Sequence, residues 1–179
     1  QGNQYKNVKT NEQIQKQEFY GKQFLVKDNL QPIEWDLHTE TKQIGNYTCF
    51  KATASLPTAE LTWYDFSWDR LSNGTQNETD ESEDVEIKED TVEMTEIEAW
   101  YAPQIPVRHG PSEYWGLPGL ILEVSAGETT MLCSKIVLNP SDVIEIEAPS
   151  KGSVVTKSEY QDLIQNKMVE FRNNRMRRR

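Results

Sequence analysis

His38 and His109 are the only imidazoles in a chain of 179 residues. His109 lies in Arg108-His-Gly-Pro, close before Glu113, Tyr114 and Trp115. An imidazole and a carboxylate held together can share acid–base work, one taking a proton while the other gives one. Aromatic rings beside them can instead stack on a ligand without any reaction. The candidate binding residues are therefore Trp100, Arg108, His109, Glu113, Tyr114 and Trp115. His38 falls on the polar side of an expected strand and reads as a surface residue. Cys49 and Cys133 could supply a nucleophile to His109, but their spacing matches no structural zinc signature. They read either as two buried free thiols or as one disulfide, the latter suiting an exported protein. Gly-x-Ser-x-Gly, His-Glu-x-x-His and phosphate-loop patterns are all missing from the sequence. No catalytic residue, metal or cofactor is assigned, and a non-enzymatic protein is expected.

The charge balance narrows the partners. There are 29 acids against 19 bases, a net charge of −10. A general nucleic-acid binder needs a basic face for phosphates, so that class is set aside. No apolar run of about 18 residues is present to span a membrane as a helix. Residue 1 is Gln, which fits either a processed end or a trimmed boundary. Asparagine sequons stand at Asn46, Asn73 and Asn77 and matter only in a glycosylating host.

The elements that must position these residues are mostly strands. Residues 1–22 are polar; Glu12 to Phe19 reads as a weak helix or as loose chain. A single β domain is expected over 23–179. Phe24 and Val26 alternate with Gln23, Leu25 and Lys27, and Ile33, Trp35 and Leu37 with Glu34, Asp36 and His38, the period of half-buried strands. Gly45-Asn46 marks a turn, and Tyr47 to Ala54 follows as a strand. The aromatic run Glu60 to Trp68 also favours strand, with Tyr64, Phe66 and Trp68 on one face. Residues 72–90 are dense in Asp and Glu and read as a solvated acidic loop. Calcium is the alternative there, although the spacing is not that of an EF-hand. Ile97, Ala99 and Tyr101 form another strand face. Two prolines, Pro103 and Pro106, then stiffen a loop. Leu120 to Val124, Thr130 to Leu138 and Val143 to Ala148 are three further strands. Thr156-Lys-Ser-Glu159 is a capping box that opens a helix over 157–173. Its apolar stripe runs through Tyr160, Leu163, Ile164, Met168 and Phe171. The basic tail after it reads as a solvated end. Without βαβ alternation a parallel sheet is disfavoured. A mainly β fold follows: a curved antiparallel sheet with the C-terminal helix on its concave face.

One motif carries a family resemblance. Gly116, Leu117, Pro118, Gly119, Leu120 and Ile121 spell the six residues for which the GLPGLI family is named. Ala99-Trp-Tyr101 before the loop and Tyr47-Thr-Cys-Phe-Lys-Ala52 resemble that family as well. The resemblance covers most of the chain from about residue 23. It departs in the long acidic loop and in N-terminal strands that are poorly represented. It implies a secreted, periplasmic or envelope protein of Bacteroidota-type bacteria. The implied fold is an open half-barrel, similar in outline to periplasmic lipoprotein carriers. No catalytic residues are implied. The motif itself reads either as a tight loop plugging one end of the sheet or as a rigid loop presenting Tyr114 and Trp115 beside a cavity.

The expected role is a non-enzymatic module binding an apolar ligand, a glycan or an envelope protein partner in its concave face. The alternatives are an accessory domain of a surface or transport complex and a hydrolase built on His109. An open cavity, an exposed apolar patch, or a His–carboxylate contact would separate them.

Overall fold

The N-terminal segment folds as strands. In the computed structural model, which describes residues 3–64, 92–142 and 144–176, β1 (Gln4–Asn7) and β2 (Glu12–Phe19) pair antiparallel. β3 (Lys22–Asn29) pairs with β2 across the two-residue turn Tyr20-Gly21. Both turn residues have positive φ, 48° and 74°, the mirror-image turn that matches strand twist. Gln, Lys and Glu favour helix only weakly, and pairing with the buried strand β3 overrides that preference. This corrects the reading of 12–19 as helix or loose chain. Phe24, Leu25 and Val26 are all buried, so β3 is covered on both faces rather than one. β9 (Ser153–Val155) joins its far side in parallel and completes a sheet ordered β1-β2-β3-β9.

The second sheet is antiparallel, in the order β4-β5-β6-β7-β8. Its strands are β4 (Asp36–Ile44), β5 (Tyr47–Pro57), β6 (Met94–Ala102), β7 (Leu120–Ala126) and β8 (Thr129–Leu132). The mainly β fold therefore holds, with the strands divided between two open sheets and a helix at the C-terminus. The Gly45-Asn46 turn and the face Ile97, Ala99, Tyr101 stand where the periodicity puts them. Strand β4 starts only at Asp36, so Ile33 and Trp35 lie in the linker between the sheets.

Three expected strands are shortened or absent. Thr58–Leu61 is a short helix, α1, followed by a turn that buries Trp63. β8 ends at Leu132, and 144–148 is irregular chain with Ile144 and Ile146 exposed at 70 % and 78 %. Alternation marks a segment able to be a strand, but no neighbouring strand pairs with it there. The acidic loop at 72–90, Asn73, Asn77, Phe66, Trp68 and the last three arginines lie outside the described residues.

Helix α2 (Lys157–Met176) opens on the expected capping box. The Thr156 N–H donates to Glu159 Oε2 at 2.8 Å, and the Glu159 N–H donates to Thr156 Oγ1 at 3.2 Å. The Lys157 N–H donates to Asp28 of β3 at 3.0 Å and sets the helix on the first sheet. There Tyr160, Ile164 and Met168 pack against Phe24, Val26 and Trp63. Among the described residues no helix is long and apolar enough to cross a membrane.

The capping box makes a pH prediction. The Thr156 N–H, and then its hydroxyl, hold the Glu159 carboxyl below its ordinary value of 4.5. Below that value the unfolded chain binds more protons at this site than the folded one, so the stabilisation is lost as pH falls. Urea unfolding of wild type and Glu159→Gln should differ at pH 7, and the difference should shrink steadily as the pH falls below 4.5. A difference independent of pH would show that the ionised carboxylate does not act at the cap.

Candidate functional site

The loop of residues 103–119, between β6 and β7, is held from several sides. Lys6 of β1 donates from Nζ to the carbonyls of Gly110, Ser112 and Tyr114 at 2.8, 2.9 and 3.0 Å. Every proton of the amine thus has a partner. Burial still pushes Lys6 down to about 8 from 10.5, against the opposing pull of Glu113. Trp115 is tied to the linker between the sheets. Its Nε1 donates to Gln31 O at 2.7 Å, and its own carbonyl accepts from Trp35 Nε1 at 2.8 Å. Arg108 spends its Nε on Gly116 O at 3.3 Å.

The motif glycines answer to geometry. Gly116 has φ of 99°, a conformation that side chains rarely adopt. A Cβ on Gly119 would lie 2.4 Å from the Ala102 carbonyl oxygen, so only glycine fits against β6. Leu117 and Tyr114 then insert into a core floored by Ala52, Ala54 and Ala99, whose small side chains leave room for them. Pro118 stays exposed, and Leu120 and Ile121 carry the chain into β7. The loop is a plug on one face of the second sheet. Tyr114 is part of that core, with its phenol pushed up chiefly by burial, and it is not presented to solvent.

The six candidate residues do not converge. Trp100 lies on the opposite face of the second sheet, with Cys49, Ala102 and Leu122. Its Nε1 donates to Glu98 at 2.8 Å, and the Lys42 ammonium sits 4.3 Å over its ring. His109 is exposed, and among the described residues its ring meets no carboxylate; its backbone carbonyl accepts from the Ile121 N–H. Burial, and then Lys6, hold its imidazole below the usual range. Glu113 meets Gln4 at 3.4 Å instead. The acid–base pair imagined for His109 and Glu113 is thus not hydrogen-bonded. His38 contacts Thr53 at 2.7 Å on the surface, as its strand position suggested.

Cys49 and Cys133 are free thiols. Strands β6 and β7 lie between them, which at about 4.8 Å per strand places them roughly 14 Å apart. Disulfide Cα atoms lie within about 7 Å. Burial also raises the Cys49 thiol, which disfavours its nucleophilic form. Among the described residues no group of three His, Cys, Asp or Glu side chains could hold a metal ion.

What the fold does bring together is a cleft of about 340 Å³ where the two sheets meet. Gln13, Asp28, Glu113 and Lys157 supply its polar wall, and Leu30, Ile33 and Leu61 its apolar wall. Gln13 Oε1 is buried and has no hydrogen-bond partner among the described residues. Of these residues only Glu113 was a sequence candidate. The signal for the rest is weak: Gln13, Gln15 and Gln17 share one face of β2, opposite Asp28, Val26 and Phe24.

Residues 35–123 match the model of a family described as Protein of unknown function (Porph_ging). The Porph_ging match takes in β4, β5, β6 and the whole plug loop, from Trp35 to the first residues of β7. Both tryptophans of the Trp35–Trp115 hydrogen bond lie inside it, whereas Lys6, Gln13 and helix α2 lie outside. No curated protein and no solved structure matches the chain significantly.

Replacing Lys6 tests the tie to the plug. Lys6→Met leaves three carbonyls without their donor, and should cost about 1–3 kcal/mol of stability in urea. Lys22→Met, at the exposed start of β3, should leave the midpoint unchanged. Equal midpoints for wild type and Lys6→Met would show that the amine contacts contribute nothing.

Proposed function

We propose that this chain is a non-enzymatic binding module of the GLPGLI type, secreted or held in the cell envelope, and that it takes its ligand in the cleft between the two sheets. The observation that carries this reading is Gln13 Oε1, a buried acceptor without a partner among the described residues, on the wall of that cleft. A buried polar atom without a partner costs free energy, and a ligand that donates to it removes the cost. Asp28 and Glu113 add further acceptors, while Leu30, Ile33 and Leu61 offer an apolar wall. That combination favours a compact ligand rich in hydroxyl or amine donors, with one apolar face, over a lipid chain. Sugars have this chemistry, so the glycan reading stands ahead of the apolar carrier. A His109 hydrolase has no support from a carboxylate contact.

A second reading rests on Val137, Leu138 and Ile144, exposed at 58 %, 57 % and 70 % on irregular chain after β8. Asp142 and Glu145 lie among them, so a protein partner with an apolar surface and a cationic rim would fit an accessory role.

Saturation-transfer NMR with cellobiose, a chitosan dimer and laurate separates these ligands. Transfer to at least one disaccharide, lost in Gln13→Leu, is the expected outcome. Transfer to laurate alone, or to none of the three, sinks the glycan cleft. For the accessory role, a photo-cross-linker at Leu138 should capture a defined partner in the producing cell. The same probe at Leu37, exposed at 57 % on β4, should not; equal capture at both positions removes that reading.

A further inference from the structure

A second recess lies at the outer edge of the first sheet and shares no lining residue with the inter-sheet cleft. β1 is the edge strand, and chain 146–151 runs beside it. Between them is an open groove of about 790 Å³. Lys16 and Lys151 line it, and neither forms an ion pair among the described residues. Lys6 also reaches this wall, but its amine is spent on the loop carbonyls. Glu147 is the one carboxylate among the lining residues. Cations therefore outnumber carboxylates here, in a chain whose net charge is −10. A concave surface of locally positive sign concentrates anions against the field of the rest.

The remaining lining says which anions. Tyr5 offers an aromatic ring, and Ile146 and Pro149 add apolar surface beside it. Rings of this kind stack on the apolar faces of sugars. His109, whose imidazole is held below its usual range, stays uncharged near neutral pH and can donate and accept. An inorganic anion uses the cations alone, whereas a chain of acidic sugars uses the cations, the ring and the polar groups together. We propose that this groove binds an oligosaccharide of uronic acids, with Lys16 and Lys151 meeting its carboxylates and Tyr5 stacking on a ring.

Calorimetry with trigalacturonate, neutral cellotriose and tripolyphosphate tests this on the full chain. Trigalacturonate should bind about tenfold or more tightly than either of the others. The double variant Lys16→Glu/Lys151→Glu should lose about tenfold or more of that affinity while its melting temperature stays unchanged. Lys16→Gln/Lys151→Gln serves if charge reversal prevents folding. Gln13→Leu should leave trigalacturonate binding intact, so the groove and the inter-sheet cleft fail or stand separately. No binding of trigalacturonate, equal binding by the double variant, or equal binding of cellotriose overturns the proposal. Tripolyphosphate binding as tightly as trigalacturonate overturns it too, in favour of a bare anion site.

Discussion

Lys6 stands on the edge strand of one sheet and gives its three protons to carbonyls of a loop that belongs to the other. This contact joins the first sheet to the irregular loop between two strands of the second. An irregular loop carries carbonyls that no ladder satisfies. An ammonium with three donors is an economical partner for three of them. Glu113 and Gln4 meet beside it, so the first strand is drawn over the end of the plug. The inter-sheet cleft and the outer groove both border this junction, with Glu113 in the first and Lys6 in the second.

The plug shapes what the second sheet can do. With Tyr114 and Leu117 seated over Ala52, Ala54 and Ala99, one face of that sheet is filled. Its other face is covered in part by Trp100, Leu122 and the chain beyond β8. Space is left at the seams: between the sheets, and between β1 and the chain at 146–151. Both seams carry polar groups without partners among the described residues, Gln13 Oε1 in one and the lysines Lys16 and Lys151, outside any ion pair, in the other.

The periodic signals were readable where apolar and polar residues alternate along a segment. Tyr47 to Pro57 and Met94 to Ala102 pair as strands, and their apolar faces are those the alternation marks. Thr156 and Glu159 cap the helix because a capping box involves only one turn of chain. The glycines of the motif were readable as constraints, since a positive φ and a backbone contact both forbid a side chain. By contrast, Gln13, Gln15 and Gln17 look like helix or loose chain until β3 lies beside them. Ile144 and Ile146 show the reverse case, an alternating pattern without a neighbouring strand.

The site follows the same division. Residue types alone put Arg108, His109, Glu113, Tyr114 and Trp115 together, because they are adjacent in the chain. Folding separates them: Tyr114 goes into the core, His109 to the surface, and Trp100 to the far side of the sheet. It then recruits partners from 80 or more residues away, as Lys6 meets Tyr114 and Trp35 meets Trp115. Local chemistry is written in the order of residues, through dihedral limits and the period of burial. Which side chains share a wall depends on strand order and register. Those are settled by the packing of whole sheets, and no short stretch of sequence carries them.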